Sequence, residues 1–212
     1  MNQSVNQRQP GGTMIAEDQL EKKRNHIRQA AVTVFARMGY HNSRVSDIAK
    51  EAEVAYGLFY HYFPSKDDVL IDIFQNAWTN LLKGLEHIDK KIENPVEKIK
   101  AVVKFSLDEY EKNPDLLKVI VMDVPRLDKF YSEENQRIFN RYFHRVSQMI
   151  TKGQEAGVFN KDVSPQIISY LTLGAVDALI RQYVYNPSIK KGQGKVSKMT
   201  DQMVKVLVNG IL

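Results

Sequence analysis

The stretch SRVSDIAKEAEVAYGLFYHYFPSK, Ser43–Lys66, decides how the rest of this chain is read. Val45, Ile48, Ala49 and Ala52 recur at helical spacing, a break follows at Glu53, and a shorter run then carries Phe59 and Tyr62. Ile48, Ala49, Ala52, Val54, Phe59 and Tyr62 together have the apolar spacing of a helix-turn-helix, in which a small residue inside the first helix lets the second cross it closely. The second run is crowded with rings that carry polar tips. Tyrosine hydroxyls and a histidine ring can donate to phosphate oxygens without ordering a long flexible side chain, and such contacts set register on a duplex. A short helix of this kind has its outer face available to a major groove.

Outward from this stretch the periodicity is helical nearly throughout. Upstream, Ile27, Ala30, Ala31, Val34, Phe35 and Met38 form one face, and Gly39 supplies a left-handed stop. Downstream, Ser65 with Asp68, Asn94-Pro95 with Glu97, Asn113-Pro114, Ser132 and Ser164-Pro165 mark helix starts, and Gly157 and Asn186-Pro187 mark stops. No segment alternates with period two, so the chain is expected to be all-α with about nine helices. Residues 1–19 are expected to be a disordered tail, and Asn186–Lys195 a basic mobile loop.

The 212 residues are 43% hydrophobic and 26% charged, enough for one or two domains with a real core. No cysteine is present, which excludes a disulfide framework and thiolate metal sites. Neither a signal peptide nor a membrane span is visible, so a cytoplasmic protein with no membrane partner is expected. The net charge of +5 permits a nucleic-acid partner. Residues 1–70 contribute 9 basic against 8 acidic residues, so DNA binding there must rest on geometry rather than on bulk charge.

At this point the sequence resembles a known family. Ala30–Phe74 is similar to the N-terminal domain of the TetR family of bacterial transcriptional regulators: a first helix ending in Gly-Tyr, an Ile-Ala second helix, a Gly-x-x-Tyr-x-x-Phe recognition helix and a Ser-Lys start to helix four. The resemblance implies a helix-turn-helix DNA-binding domain over 20–64 and a regulatory, ligand-binding and dimerising domain over 65–212. It places Tyr60, His61, Tyr62, Lys66, Ser43 and Arg44 at phosphates, and gives base reading to Tyr56, Gly57 and Leu58 with Ser46 from the preceding helix. Three positions depart from the family's habit: Leu58, often a small hydroxyl residue; Glu53, often glycine; and Arg44, often threonine. Leu58 offers no hydrogen-bonding group and could touch only a thymine methyl or pack. A left-handed backbone at Glu53 would cost about 1–2 kcal/mol.

The partners expected are a palindromic double-stranded DNA operator, a second copy of the chain and a small-molecule effector, with no cofactor and no metal. Tyr170, Leu171, Gly174, Ala175, Ala178 and Leu179 on one long helix, with Val204, Leu207, Val208 and Ile211 on the last, are expected to form a two-fold homodimer interface. Trp78, Phe105, Tyr110, Met122, Phe139, Phe143 and Met149 are the expected lining of a mainly apolar ligand pocket. The pattern from Val119 to Val158 resembles fatty-acid-degradation regulators within the family, which makes a long-chain acyl-CoA one candidate effector. Repression by operator occupancy, relieved by the effector, is the expected mechanism. The alternative is a ligand-binding helical dimer without strong operator binding, kept open by Leu58 and Glu53.

Catalysis is not expected. Tyr62 and Lys66 have a Tyr-x-x-x-Lys spacing, but no nucleotide-binding sheet accompanies it. The GQGK segment is neither preceded by a strand nor spaced as a phosphate loop, and no Gly-x-Ser-x-Gly occurs.

Overall fold

A computed structural model describes residues 11–186 and 195–210. The described residues form nine α-helices and two short 3-10 turns, with no strand: α1 Gly11–Met38, α2 Val45–Glu51, α3 Tyr56–Tyr62, α4 Lys66–Lys91, α5 Pro95–Lys112, α6 Pro114–Met122, α7 Glu133–Glu155, α8 Pro165–Tyr185 and α9 Lys195–Asn209, the 3-10 turns being Val124–Arg126 and Asp128–Tyr131. The all-α architecture expected from periodicity is present. Most of the expected mobile loop lies outside the described residues.

The helix boundaries follow local chemistry. Asn94 accepts a hydrogen bond from the Glu97 backbone N–H at 3.1 Å, and Pro95 occupies the first turn, where its missing N–H costs nothing. The Ser65 hydroxyl accepts from the Asp68 N–H at 3.2 Å and donates to the Asp68 carboxylate at 2.7 Å. Gly39 and Gly157 have φ of 78° and 72°, the left-handed geometry that closes a helix. One start departs from expectation: α1 begins at Gly11, inside the segment read as a tail. Once the Ile27–Met38 face is anchored, the costly nucleus is already formed, and the helix extends upstream from it at lower cost.

The chain divides into two compact units, one up to Val69 and one from Leu70 onward. The boundary lies later than the 64/65 expected, because the first turn of α4 is tied to the first unit: the Lys66 ammonium donates to the Tyr40 and Ser43 carbonyls at 2.7 and 2.9 Å, and the Tyr40 hydroxyl donates to Asp67. In the first unit α2 packs on α1 and α3 on α2. Ile27, Ala31, Val34 and Phe35 of α1, Ile48, Ala49 and Ala52 of α2 and Phe59 of α3 are all buried. Each large apolar side chain fully buried contributes about 1.5–3 kcal/mol, against about 1 kcal/mol for a cap, so the core holds the helices and the caps set where they start.

The second unit has two apolar clusters. Leu85, Ile88, Ile99, Val102, Tyr142, Val146, Met149, Ile150, Phe159 and Ile168 form the first. Val103, Leu107, Tyr110, Val121, Val176, Ile180 and Tyr183 form the second. Helices α5 and α8 contribute to both, because each is apolar over more than one face. Gly84 is where α5 comes close to α4: a Cβ there would lie 2.2 Å from Cζ of Phe105. Gly84→Ala should therefore lower stability by about 1–2 kcal/mol, the overpacking cost exceeding the roughly 1 kcal/mol helix-propensity gain. Denaturant unfolding checks this, and Phe105→Leu in the same chain should recover the loss.

Candidate nucleic-acid interface

The outward face of the helix-turn-helix is built from the turn upward. Helix α2 starts at an extended Arg44 whose backbone N–H donates to the Asp47 carboxylate at 2.8 Å. It ends in a turn where Glu53 has φ of 51°, the one non-glycine residue with positive φ among those described. The strain anticipated for a family-typical glycine position is present. Glu53→Gly should raise stability by about 0.5–1 kcal/mol, the left-handed cost of about 1–2 kcal/mol being partly offset by the larger backbone entropy of glycine in the unfolded chain. Thermal or denaturant unfolding checks it. The turn is also held by the His26 ring, whose Nε2 lies 2.8 Å from the Ala52 carbonyl oxygen.

Helix α3 turns Phe59 inward and leaves Tyr56 and Tyr60 exposed one turn apart, at 55% and 45%. Their rings meet edge to face at 5.4 Å and their hydroxyls are 3.0 Å apart. The hydrogen bond to Tyr56 is the main reason the Tyr60 hydroxyl holds its proton above the ordinary tyrosine range. Gly57 lies on the same exposed side. A Cβ there would meet nothing within 4 Å, and its φ is not left-handed. A glycine inside a helix costs about 1 kcal/mol relative to alanine, so neither backbone nor internal packing accounts for it. His61, Arg44 and Ser46 are exposed as well, while Leu58 and Tyr62 are half-buried. The His61 ring stands against that of Tyr62 at 5.1 Å.

Two expected phosphate ligands are placed otherwise. Ser43 is 3% exposed and its hydroxyl donates to the Tyr40 carbonyl at 2.7 Å, because the loop after α1 must satisfy that carbonyl internally. Lys66 is half-buried, its ammonium over the Tyr40 ring at 4.1 Å and bonded to two carbonyls. Its contribution within the chain is to fasten the start of α4 to the α1–α2 loop. Tyr40, which this fastening depends on, entered the sequence reading only as the tyrosine of the Gly-Tyr end of the first helix. Arg24 lies over the Phe63 ring at 5.1 Å.

In the second unit the expected pocket residues are not gathered in one place. Trp78, Phe105, Phe143 and Met149 belong to the first cluster, while Tyr110 stacks on Tyr183 at 5.3 Å in the second. Phe105 and Tyr110, five residues apart on α5, point about 140° apart around the helix. Phe139 meets Trp78 at 4.5 Å, and Met122 is half-buried at the end of α6. An open groove of about 490 Å³ outside α7, lined by Glu134, Arg137, Ile138, Asn140 and Arg141, takes in none of them.

The expected dimer face is exposed along α8 and only partly so along α9. Tyr170, Leu171, Gly174 and Ala178 are exposed, and Ala175 and Leu179 half-buried. On α9, Val204 and Leu207 are half-buried against the second cluster and Val208 is 4% exposed, because α5 takes up this face within the same chain; Val206 is exposed instead. Ile211 lies outside the described residues. No helix of the described residues is long and apolar enough to cross a membrane.

Comparison with known proteins agrees with this geometry. A sequence model described as bacterial regulatory proteins, tetR family, matches residues 27–73, and one described as tetracyclin repressor-like, C-terminal domain, matches residues 93–211. A fatty acid metabolism regulator protein of Bacillus subtilis is 25% identical over 193 residues, covering 91% of this chain and 97% of its own. The fatty acid degradation regulator FadR from Bacillus halodurans superposes with a TM-score of 0.80 at 22% identity, over 97% of this chain and 98% of its own. The structure of FadR from Bacillus subtilis in complex with stearoyl-CoA superposes with a TM-score of 0.78 at 26% identity, over 88% and 98%. With a helix-turn-helix whose recognition helix faces outward and a helical C-terminal unit matched along its length, this chain belongs to the TetR family of DNA-binding transcriptional regulators.

Proposed function

We propose that this protein is a homodimeric repressor that occupies a palindromic operator and leaves it on binding a long-chain acyl-CoA. The observation that carries the DNA half is the exposed Tyr56, Gly57 and Tyr60 face of α3, with a glycine that nothing inside the chain requires. Gly57 admits close approach of the duplex, the two tyrosines supply hydroxyls at phosphates and base edges, and Arg44 and His61 flank them. The dimer half has a parallel: Gly174 in the middle of α8 also has open space where its Cβ would be, beside exposed Ile167, Tyr170 and Leu171. Exposed apolar residues around a helical glycine suit close approach by another helix, and a two-fold pair of recognition helices suits a palindrome.

The effector class is supported by the regulator relatives and by the stearoyl-CoA bound to one of them. An acyl chain that binds better to a dimer with misplaced recognition helices shifts the population away from DNA, and each tenfold loss of operator affinity needs about 1.4 kcal/mol of differential binding. Helix α4, whose first turn carries Lys66 and which continues into the second unit, is the covalent connection.

Selection from a random duplex library, followed by shift assays with stearoyl-CoA and with coenzyme A alone, tests this. A palindromic consensus released by the acylated compound and not by coenzyme A is the expected result. Enrichment without release would remove the acyl-CoA effector. Absence of enrichment, with a protein that still binds stearoyl-CoA, would favour the ligand-binding dimer without strong operator binding. Leu171→Arg should give a monomer by sedimentation.

A further inference from the structure

Tyr142 of α7 is fully buried in the first cluster of the second unit, one turn after Ile138 and one turn before Val146. Its hydroxyl oxygen is enclosed and has no hydrogen-bond partner from the protein. A buried hydroxyl without a partner destabilises the fold that holds it, whereas phenylalanine would fill nearly the same volume with nothing left unsatisfied. Burial pushes the phenol well above the usual tyrosine range, so it stays a neutral donor. Tyr142 belongs to an apolar cluster and no group of the chain bonds its hydroxyl, which leaves the packing of the chain itself without use for the polar atom.

The rings beside Tyr142 are the less enclosed part of the cluster. Trp78 meets it edge to face at 5.7 Å and Phe143 at 5.6 Å; Phe139 lies against Trp78, and Phe143 against the exposed Tyr170 at 4.7 Å. Trp78, Phe139 and Phe143 are all only half-buried. A polar donor therefore sits behind a layer of aromatic side chains that an apolar molecule can join by displacing rings rather than breaking hydrogen bonds. We propose that Tyr142 is the recognition group for the acyl carbonyl of the effector, its hydroxyl donating to the thioester oxygen once the chain lies among Trp78, Phe139 and Phe143. This rests on the acyl-thioester reading of the effector. In an acyl thioester the carbonyl oxygen is the hydrogen-bond acceptor that adjoins the apolar chain. A site that holds a donor for it rejects an analogue that lacks it.

The test compares palmitoyl-CoA with S-hexadecyl-CoA, the thioether in which the carbonyl is a methylene, by titration calorimetry on the full chain and on Tyr142→Phe, with thermal unfolding of both proteins without ligand. The native protein is expected to prefer the thioester about tenfold, equivalent to about 1.4 kcal/mol. Tyr142→Phe should unfold at the same temperature or higher and bind both compounds alike, with the affinity that the native protein has for the thioether. An unchanged preference in the variant would overturn the assignment while leaving the acyl-CoA effector standing. A clear loss of stability in the ligand-free variant would also overturn it, since the hydroxyl would then be satisfied without ligand. If the native protein bound neither compound, the effector class would fall and this role with it.

Discussion

The Tyr56→Ala, Tyr60→Ala double variant is expected to lose about 100-fold in operator affinity while its unfolding temperature stays within a degree or two of the native protein. The first half follows from the two contacts removed, each worth about 1.4 kcal/mol, a tenfold change apiece. The second follows from exposure: both side chains project from α3 and their hydroxyls bond to each other rather than to the core. Substitutions at such positions usually change stability by less than about 0.5 kcal/mol. The salt dependence discriminates further. Neutral hydroxyls release no condensed counterions, so log K against log salt should keep its slope in the variant, whereas loss of Arg44 should flatten it by about one unit. Because the hydrogen bond between the two hydroxyls holds the Tyr60 proton above the ordinary range, operator affinity should not fall through Tyr60 ionisation below about pH 10. A variant that loses affinity and unfolds many degrees early would instead make these tyrosines structural.

Asp89→Ala is expected to destabilise the second unit by about 3–5 kcal/mol. The Asp89 carboxylate accepts from the Lys98 ammonium at 2.7 Å and lies 3.4 Å from that of Lys152. The Asp89 and Lys98 side chains are 13% and 10% exposed, so removing the carboxylate leaves a nearly buried cation with the Asp89 carbonyl, at 3.1 Å, as its remaining bond. Burial alone would push the Asp89 carboxyl up, but Lys98 and Lys152 together outweigh it and hold the group below its usual range. A carboxyl depressed in the folded state binds fewer protons there than when unfolded, so its contribution is complete above the unfolded value near pH 4 and is lost as pH falls through the lower folded value. Urea unfolding from pH 7 to pH 2.5 should show that acid-dependent loss in the native protein and its reduction in Asp89→Ala. Asp89→Leu with Lys98→Met should recover most of the stability, because the cost lies in the orphaned charge rather than in the missing pair.

How far the sequence reached is clearest at single residues. Gly39, Gly157, Asn94 and Ser65 were legible because a cap or a left-handed stop is a contact within four residues, and those contacts are present. Glu53 was legible as strain for the same reason. Ser43 and Lys66 were not, since a hydroxyl or an ammonium at that spacing can turn toward a phosphate or toward the carbonyls of the preceding loop, and Tyr40 decides between them. Val208 and Tyr110 show the same limit among apolar residues.

The sequence by itself therefore determined the helices, most of their ends, the helix-turn-helix and the family, since periodicity and capping are written in neighbouring positions. Only the tertiary structure decided which partner each face meets: that the expected pocket residues divide between two clusters, that α5 takes the α9 face expected at a dimer interface, and that Tyr142 holds its hydroxyl among rings. The physical reason is that an apolar stripe lowers its free energy against any complementary surface, and the chain's own packing sets which surface reaches it first.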